Sequence, residues 1–153
     1  MALYVENSLG GFGSFTMKVA TGETVTAGQF VKTEGTEITA TGTVQDKLLC
    51  SPCDANGDES LVVGLALQGG TAGQFVQVAT RGMFRIQCGN GAVVAGRGVS
   101  LGANPASTGS KIETAAADSR EVGIALTAAS ATNDYVLVLM QLGALGLGAV
   151  GDA

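Results

Sequence analysis

The chain has no histidine and no tryptophan, only 2 prolines in 153 residues, and 14% charged residues where soluble domains average ~25%. Each shortage excludes something. Without histidine, Ser-His-Asp, Cys-His and HExxH chemistry cannot be assembled within one chain, and the commonest general base and metal ligand is missing. With 46% apolar residues and little charge, the composition is the reverse of a disordered chain. The 8 basic residues are scattered singly among 13 acidic ones, for a net charge of −5. A nucleic-acid binder carries a basic stripe, so no nucleic-acid partner is expected. The most apolar stretch, 135–150, is broken by glycines and falls short of the roughly 18 residues a spanning helix needs. The opening MALYVENSLGG has neither a basic region nor a signal-length apolar run. The expectation is a chain made in the cytoplasm with no membrane partner. Three cysteines, an odd number, do not make a secreted disulfide framework.

What is present is glycine, 24 residues without a G-X-Y period, and a core supply of Val, Leu, Ile and Ala with five Phe and two Tyr. Small β-branched residues punctuated by glycine suit closely packed strands. Strand patterns occur over 24–32, 61–67, 75–80, 83–88 and 135–142, and Asn56-Gly57 and Asn90-Gly91 read as hairpin-type turns. Residues 115–120 could make one helical turn, and 127–133 carry Thr, Ser and Asn that disfavour a helix interior. The expected fold is all-β, a compact β-barrel or sandwich with at most a helical turn.

The chain also repeats itself. Ala27-Gly28-Gln29-Phe30-Val31 returns as Ala72-Gly73-Gln74-Phe75-Val76, and more loosely as Ala95-Gly96-Arg97-Gly98-Val99. Val63-Gly64-Leu65-Ala66-Leu67 returns as Val122-Gly123-Ile124-Ala125-Leu126, and Met17-Lys18-Val19 pairs with Phe84-Arg85-Ile86. Taken in order, the offsets are 67, 68 and 59, which predicts two pseudo-repeats, about 15–70 and 82–142, with some nine extra residues in the first. The loop CSPCDANGDE at 50–59 is the expected place for them. Outside this duplicated β domain of 15–142 stand an N-terminal arm, 1–14, and a C-terminal tail, 143–153. The arm sets Leu3, Tyr4, Leu9 and Phe12 among glycines and cannot build a core of its own, so these four residues are the candidate contacts with a neighbour.

Chemical motifs fall short. Cys50-x-x-Cys53 has metal or redox spacing, but a structural zinc site needs four ligands, and only Cys88 remains beside Asp54 or Asp58. The run from Asp54 to Glu59 has oxygen-rich spacing, yet position 12 of an EF-hand counted from Asp54 is Leu65. Gly89-x-Gly91 and Gly96-x-Gly98 lack the strand–GxGxxG–helix setting, and no GK[ST] occurs. No catalytic residue, cofactor site or metal site is expected, and the chain is not read as an enzyme.

The order of motifs from Val25-x-Ala27-Gly28-x-x-Val31 through Val62 to Leu67, Ala72 to Val76, Arg81-Gly82-Met83-Phe84, Val93-x-Ala95-Gly96-x-x-Val99, Val122 to Leu126 and Tyr135 to Leu139 resembles the small capsid decoration (cement) proteins of tailed bacteriophages, a group with a tandem β-barrel-like domain. The resemblance spans roughly 17–142; the arm and the 50–59 loop lie outside it or are particular to this chain. It implies a non-catalytic homotrimer on the outer face of a phage head, whose partner is the major capsid protein and whose task is bridging capsid subunits. Three rival readings remain: a tail- or baseplate-associated virion protein, a sugar- or ligand-binding β-module, and a small trimeric enzyme using carboxylates or thiols.

Overall fold

The computed structural model describes residues 5–6, 13–37, 47–102, 110–116 and 119–142. The elements are β1 (Val5–Glu6), β2 (Gly13–Val19), β3 (Thr24–Val25), β4 (Phe30–Glu37), β5 (Lys47–Pro52), β6 (Val62–Ala66), β7 (Gly70–Thr71), β8 (Phe75–Gln87), β9 (Gly98–Leu101), β10 (Ile112–Thr114), β11 (Glu121–Ala125) and β12 (Tyr135–Gln141). The fold is all-β, as expected. Among the described residues the only helical turn is a 3-10 turn at Asp58–Ser60, inside the 50–59 loop and its margin; none occurs at 127–133, and the candidate turn at 115–120 lies partly outside the described residues.

Strand order closes a ring. β8 pairs with β2, β2 with β5, β5 with β4, β4 with β6, and β6 returns to β8, giving a closed five-stranded barrel. The sheet then continues from the far half of β8 through β12, β11 and β9 to β10. This second run also comes back on β8's end, where Cys88 bridges Ile112 in parallel and the Gly89 N–H donates to the Ile112 carbonyl at 2.7 Å. The two segments predicted at 75–80 and 83–88 are therefore one 13-residue strand, β8, and not two. Its first half closes the first ring; its second half opens the second.

Hydrogen bonds of one pattern occur in both rings. The Gly28 N–H donates to the Ala66 carbonyl at 2.7 Å and the Ala66 N–H to the Gln29 carbonyl at 2.8 Å. In the second ring Gly96 donates to Ala125 at 2.7 Å and Ala125 to Arg97 at 2.9 Å. Gly28 and Gly96 sit at φ 85° and 84°, the left-handed value a type II turn requires at its third residue, and glycine takes it without a Cβ penalty. Parallel pairing of Val19 with Cys50 matches that of Cys88 with Ile112, and Val25 opposite Gly70 matches Val93 opposite Ala129. Even the irregularity is shared: β6 skips Val63 against β4, and β11 skips Val122 against β9.

These registers revise the string comparison in three places. Met17 faces Val76 and Ile86 faces Val136, so the partner of Met17-Lys18-Val19 is Ile86-Gln87-Cys88, two residues further on than the string match. The extra residues of the first half are also divided. Thr33 and its β5 partner Cys50 are 17 positions apart where Leu101 and Ile112 are 11 apart; Pro52 to Val62 spans 10 where Thr114 to Glu121 spans 7. The 50–59 loop thus holds the smaller share. Finally, neither Asn56-Gly57 nor Asn90-Gly91 joins a hairpin, because β5 does not pair with β6, nor β8 with β9.

Alternation along the strands builds two cores. Met17, Val19, Val25, Val31, Cys50, Ala66, Val76 and Val78 fill the first ring. Ile86, Cys88, Val93, Val99, Ile112, Ala125, Val136 and Val138 occupy the corresponding places in the second. The second cluster runs on without a break into Phe30, Cys53, Val62, Leu65 and Ala79, which line the outside of the first ring. So the outer wall of ring one is buried beneath ring two, and the Phe30 N–H donates to the buried Ser110 Oγ at 2.9 Å across the seam.

Two glycines let strands approach where no side chain fits. A Cβ on Gly64 would lie 2.2 Å from Val78 Cγ1 and 2.7 Å from the Ala79 carbonyl oxygen; one on Gly123 would lie 2.2 Å from the Leu139 carbonyl oxygen. In the second case the obstacle is backbone and cannot swing away. Gly123→Ala is expected to destabilise the protein by about 2 kcal/mol in urea unfolding, whereas Thr132→Ala, on an exposed turn, should change it little.

Candidate functional site

The four arm residues singled out from the sequence, Leu3, Tyr4, Leu9 and Phe12, lie outside the described residues, as does the tail at 143–153. Within the arm, β1 is described, and it pairs with β8 through Val5 opposite Phe84 and Glu6 opposite Met83. The arm therefore contributes backbone hydrogen bonding to its own barrel at that point. Gly13 and Ser14, assigned to the arm from sequence, belong to β2.

The thiols do not form a centre. Cys50 is buried inside the first ring, Cys53 in the seam between the rings, and Cys88 in the second ring. All three are free. Burial pushes Cys50 up to about 11. Burial, assisted by the nearby Asp58 carboxylate, pushes Cys53 up to about 12. Burial also raises Cys88, whose Sγ donates to the Gly91 carbonyl at 2.8 Å. A thiol held protonated at neutral pH is a poor nucleophile and a poor metal ligand. Among the described residues no group of three or more Cys, Asp or Glu is placed to hold a metal ion.

The oxygen-rich loop has a structural task. The Lys32 ammonium donates to Asp58 Oδ1 at 2.8 Å, and the Ala55 N–H to Asp58 Oδ2 at 3.0 Å. These bonds tie β4 to the loop and use both carboxylate oxygens. Burial alone would raise Asp58, but the Lys32 hydrogen bond and the backbone N–H groups of Ala55 and Asp54 hold it below its ordinary value. Lys32 is raised, first by its hydrogen bond to Asp58. A lowered carboxylate contributes stability above its unfolded-state pKa and loses it as pH falls through the folded value. Asp58→Asn should therefore cost about 1.5 kcal/mol at pH 7, a figure kept modest because Lys32 is partly solvated. The gap from the unmodified protein should close as pH falls below 3.8, read by urea unfolding across a pH series.

An open groove lies on the second ring beside Arg85, Ser130, Asn133, Asp134 and Tyr135. Its polar groups are already occupied. Asp134 Oδ2 accepts from the Ser130 and Ala131 N–H groups at 3.1 and 3.0 Å, and Asn133 Oδ1 from Lys111 Nζ at 2.7 Å. The Arg85 guanidinium sits 5.0 Å from the centre of the Tyr135 ring and covers one of its faces.

What sequence reasoning missed is an apolar face on the second ring. Ile124 and Leu139 are direct cross-strand partners, 45% and 36% exposed, and Leu126 beyond them is exposed as well. The strings V-G-L-A-L and V-G-I-A-L carry no sign of this difference, since Leu65, the counterpart of Ile124, is fully buried.

Residues 10–140 match the phage cement protein family. A search of curated protein sequences found no match. Among solved structures, the N base of the head fiber protein gp8.5 of bacteriophage phi29 is similar, with a TM-score of 0.53 and 15% identity over 85% of this chain and 94% of that one. At that identity the likeness speaks for the fold. With the family matched across nearly the whole barrel region and the buried polar groups absorbed in holding the loops, this chain belongs to the phage cement proteins and is a structural protein of the phage head.

Proposed function

We propose that this protein is a capsid decoration protein: it binds the outer face of a phage head, bridges neighbouring major capsid subunits and works as a homotrimer without catalysis. The family match over residues 10–140 carries this reading. The described structure is compatible, since its two rings form one continuous sheet with a shared strand and its polar clusters hold loops in place. We further propose two like halves, 15–70 and 82–142, joined through β8, with an arm before them and a tail after them.

The mechanism is mass action. A protein that binds only the mature lattice stabilises it by RT ln(1 + [L]/Kd) per site, about 2.7 kcal/mol at a 100-fold excess over Kd. Three linked contacts leave more slowly than one, and cyclic threefold symmetry suits a threefold lattice position.

Titration of this protein onto undecorated heads should saturate, and the saturated heads should withstand more heat or lower salt before releasing DNA. Binding to isolated tails and not to heads would favour the tail or baseplate reading instead. For the arm, a truncation of residues 1–14 would remove β1 and cut into β2. Joint substitution of Leu3, Tyr4, Leu9 and Phe12 by alanine is the cleaner test. It should leave the melting temperature unchanged and weaken head binding roughly tenfold or more. Unchanged binding, or a lowered melting temperature, would withdraw the arm as the capsid contact.

A further inference from the structure

Asn56-Gly57 and Asn90-Gly91 join no hairpin, yet each dipeptide carries a chemistry of its own. A glycine after asparagine puts no Cβ in the way of its own backbone nitrogen, which can then attack the asparagine side-chain carbon. We infer that Asn90 is a site of self-modification through the Gly91 nitrogen, and that the Glu59 carboxylate protects Asn56 from the same reaction.

Atoms balance with water as the only co-reactant. Solvent hydroxide takes the Gly91 N–H proton, the nitrogen bonds to Asn90 Cγ, and the Cγ–Nδ2 bond breaks to release ammonia. Water then opens the resulting five-membered imide at either carbonyl. One opening leaves aspartate. The other leaves isoaspartate, with the main chain routed through the former side chain and longer by one methylene. Either product exchanges an NH2 for an OH and adds a negative charge.

The two turns differ in what holds the attacking nitrogen. Both asparagines and both glycines are exposed, so access does not separate them. The Gly57 N–H donates to Glu59 Oε2 at 2.8 Å. The same turn is tied by the Asp58 N–H to the Ala55 carbonyl at 3.1 Å and by the Ser60 hydroxyl to the Gly57 carbonyl at 3.0 Å. To attack, the Gly57 nitrogen must leave a charged acceptor, and that negative charge also opposes loss of its proton. Gly91 is held from its other side. The Cys88 thiol donates to its carbonyl at 2.8 Å, and among the described residues nothing accepts from its N–H.

The consequence falls on the closure of the second ring. Asn90 stands between Gly89, whose N–H donates to the Ile112 carbonyl, and Val93, which bridges Ala129. Isoaspartate lengthens a span that is fixed at both ends. The Asp134 and Glu113 carboxylates already act on Cys88 there, so a new carboxylate at 90 adds like charge to the same corner.

The test holds the full chain in mildly alkaline buffer for days, with and without urea, and then digests it after lysine and arginine. Cleavage after Arg85 and Arg97 isolates Asn90, and cleavage after Lys47 and Arg81 isolates Asn56. In the folded protein the acidic product should build up at Asn90 roughly tenfold faster than at Asn56, the ratio set by one charge-assisted hydrogen bond that must break first. In urea the two should react alike. Glu59→Ala should speed Asn56 about tenfold in the folded protein and leave Asn90 unchanged. If that variant folds poorly, Glu59→Gln keeps an acceptor without its charge and should give an intermediate rate. Asn90→Gln should remove the early acidic species, and aged protein should melt below fresh protein. Equal rates in the folded state, or an Asn56 rate indifferent to both Glu59 variants, would overturn the inference. A difference that persists in urea would overturn it as well, because the cause would then lie in the local sequence and not in the fold.

Discussion

Everything in this fold hangs on β8 serving two rings at once. Val76 and Val78 point into the first core, Phe84 and Ile86 into the second cluster, and the strand stays paired throughout, first with β2 and β6, then with β12. A strand's period of two fixes which residues face inward, so a slip of one position would reverse both interiors together. Register in one ring therefore constrains register in the other. Gly82, at φ 136°, lies where the strand passes from one task to the next.

Closure answers a problem that all-β chains share. Open strand edges invite pairing with other chains, and a ring leaves few of them. Here the first ring closes by antiparallel β6–β8 pairing and the second returns to the end of β8 by a short parallel bridge. The price of such tight rings in aromatic-poor sequence is small residues at the crossings: Gly64 beneath Val78, and Gly123 against the Leu139 carbonyl. Low aromatic content and abundant glycine are in this sense two sides of the same packing geometry.

The sequence made the all-β class legible, along with most strands and the fact of internal likeness, because alternation and Ala-Gly turns are local signals. The finer correspondence was not. Met17-Lys18-Val19 resembles Phe84-Arg85-Ile86 by residue type, but hydrogen bonding aligns it with Ile86-Gln87-Cys88. The strings at 27–31 and 72–76 look alike because both hold a type II turn with Gly28 or Gly73 at φ 85°, though one turn clips onto Ala66 and the other onto Val19. Exposure was the least legible property. Leu65 and Ile124 stand in matching strings, and only the packing of one ring on another separates a buried residue from an exposed one. The loop from Asp54 to Glu59 has a similar lesson: its spacing falls short of a calcium loop and reads as a turn, but nothing local in it announces that Asp58 meets Lys32 and the Ala55 N–H.

The placement of the cysteines has a further consequence. All three are interior and none is bonded to another. Burial disfavours the thiolate at Cys50 and Cys53, and the thiolate is the form that reacts. The folded shape therefore depends on no disulfide among these three residues.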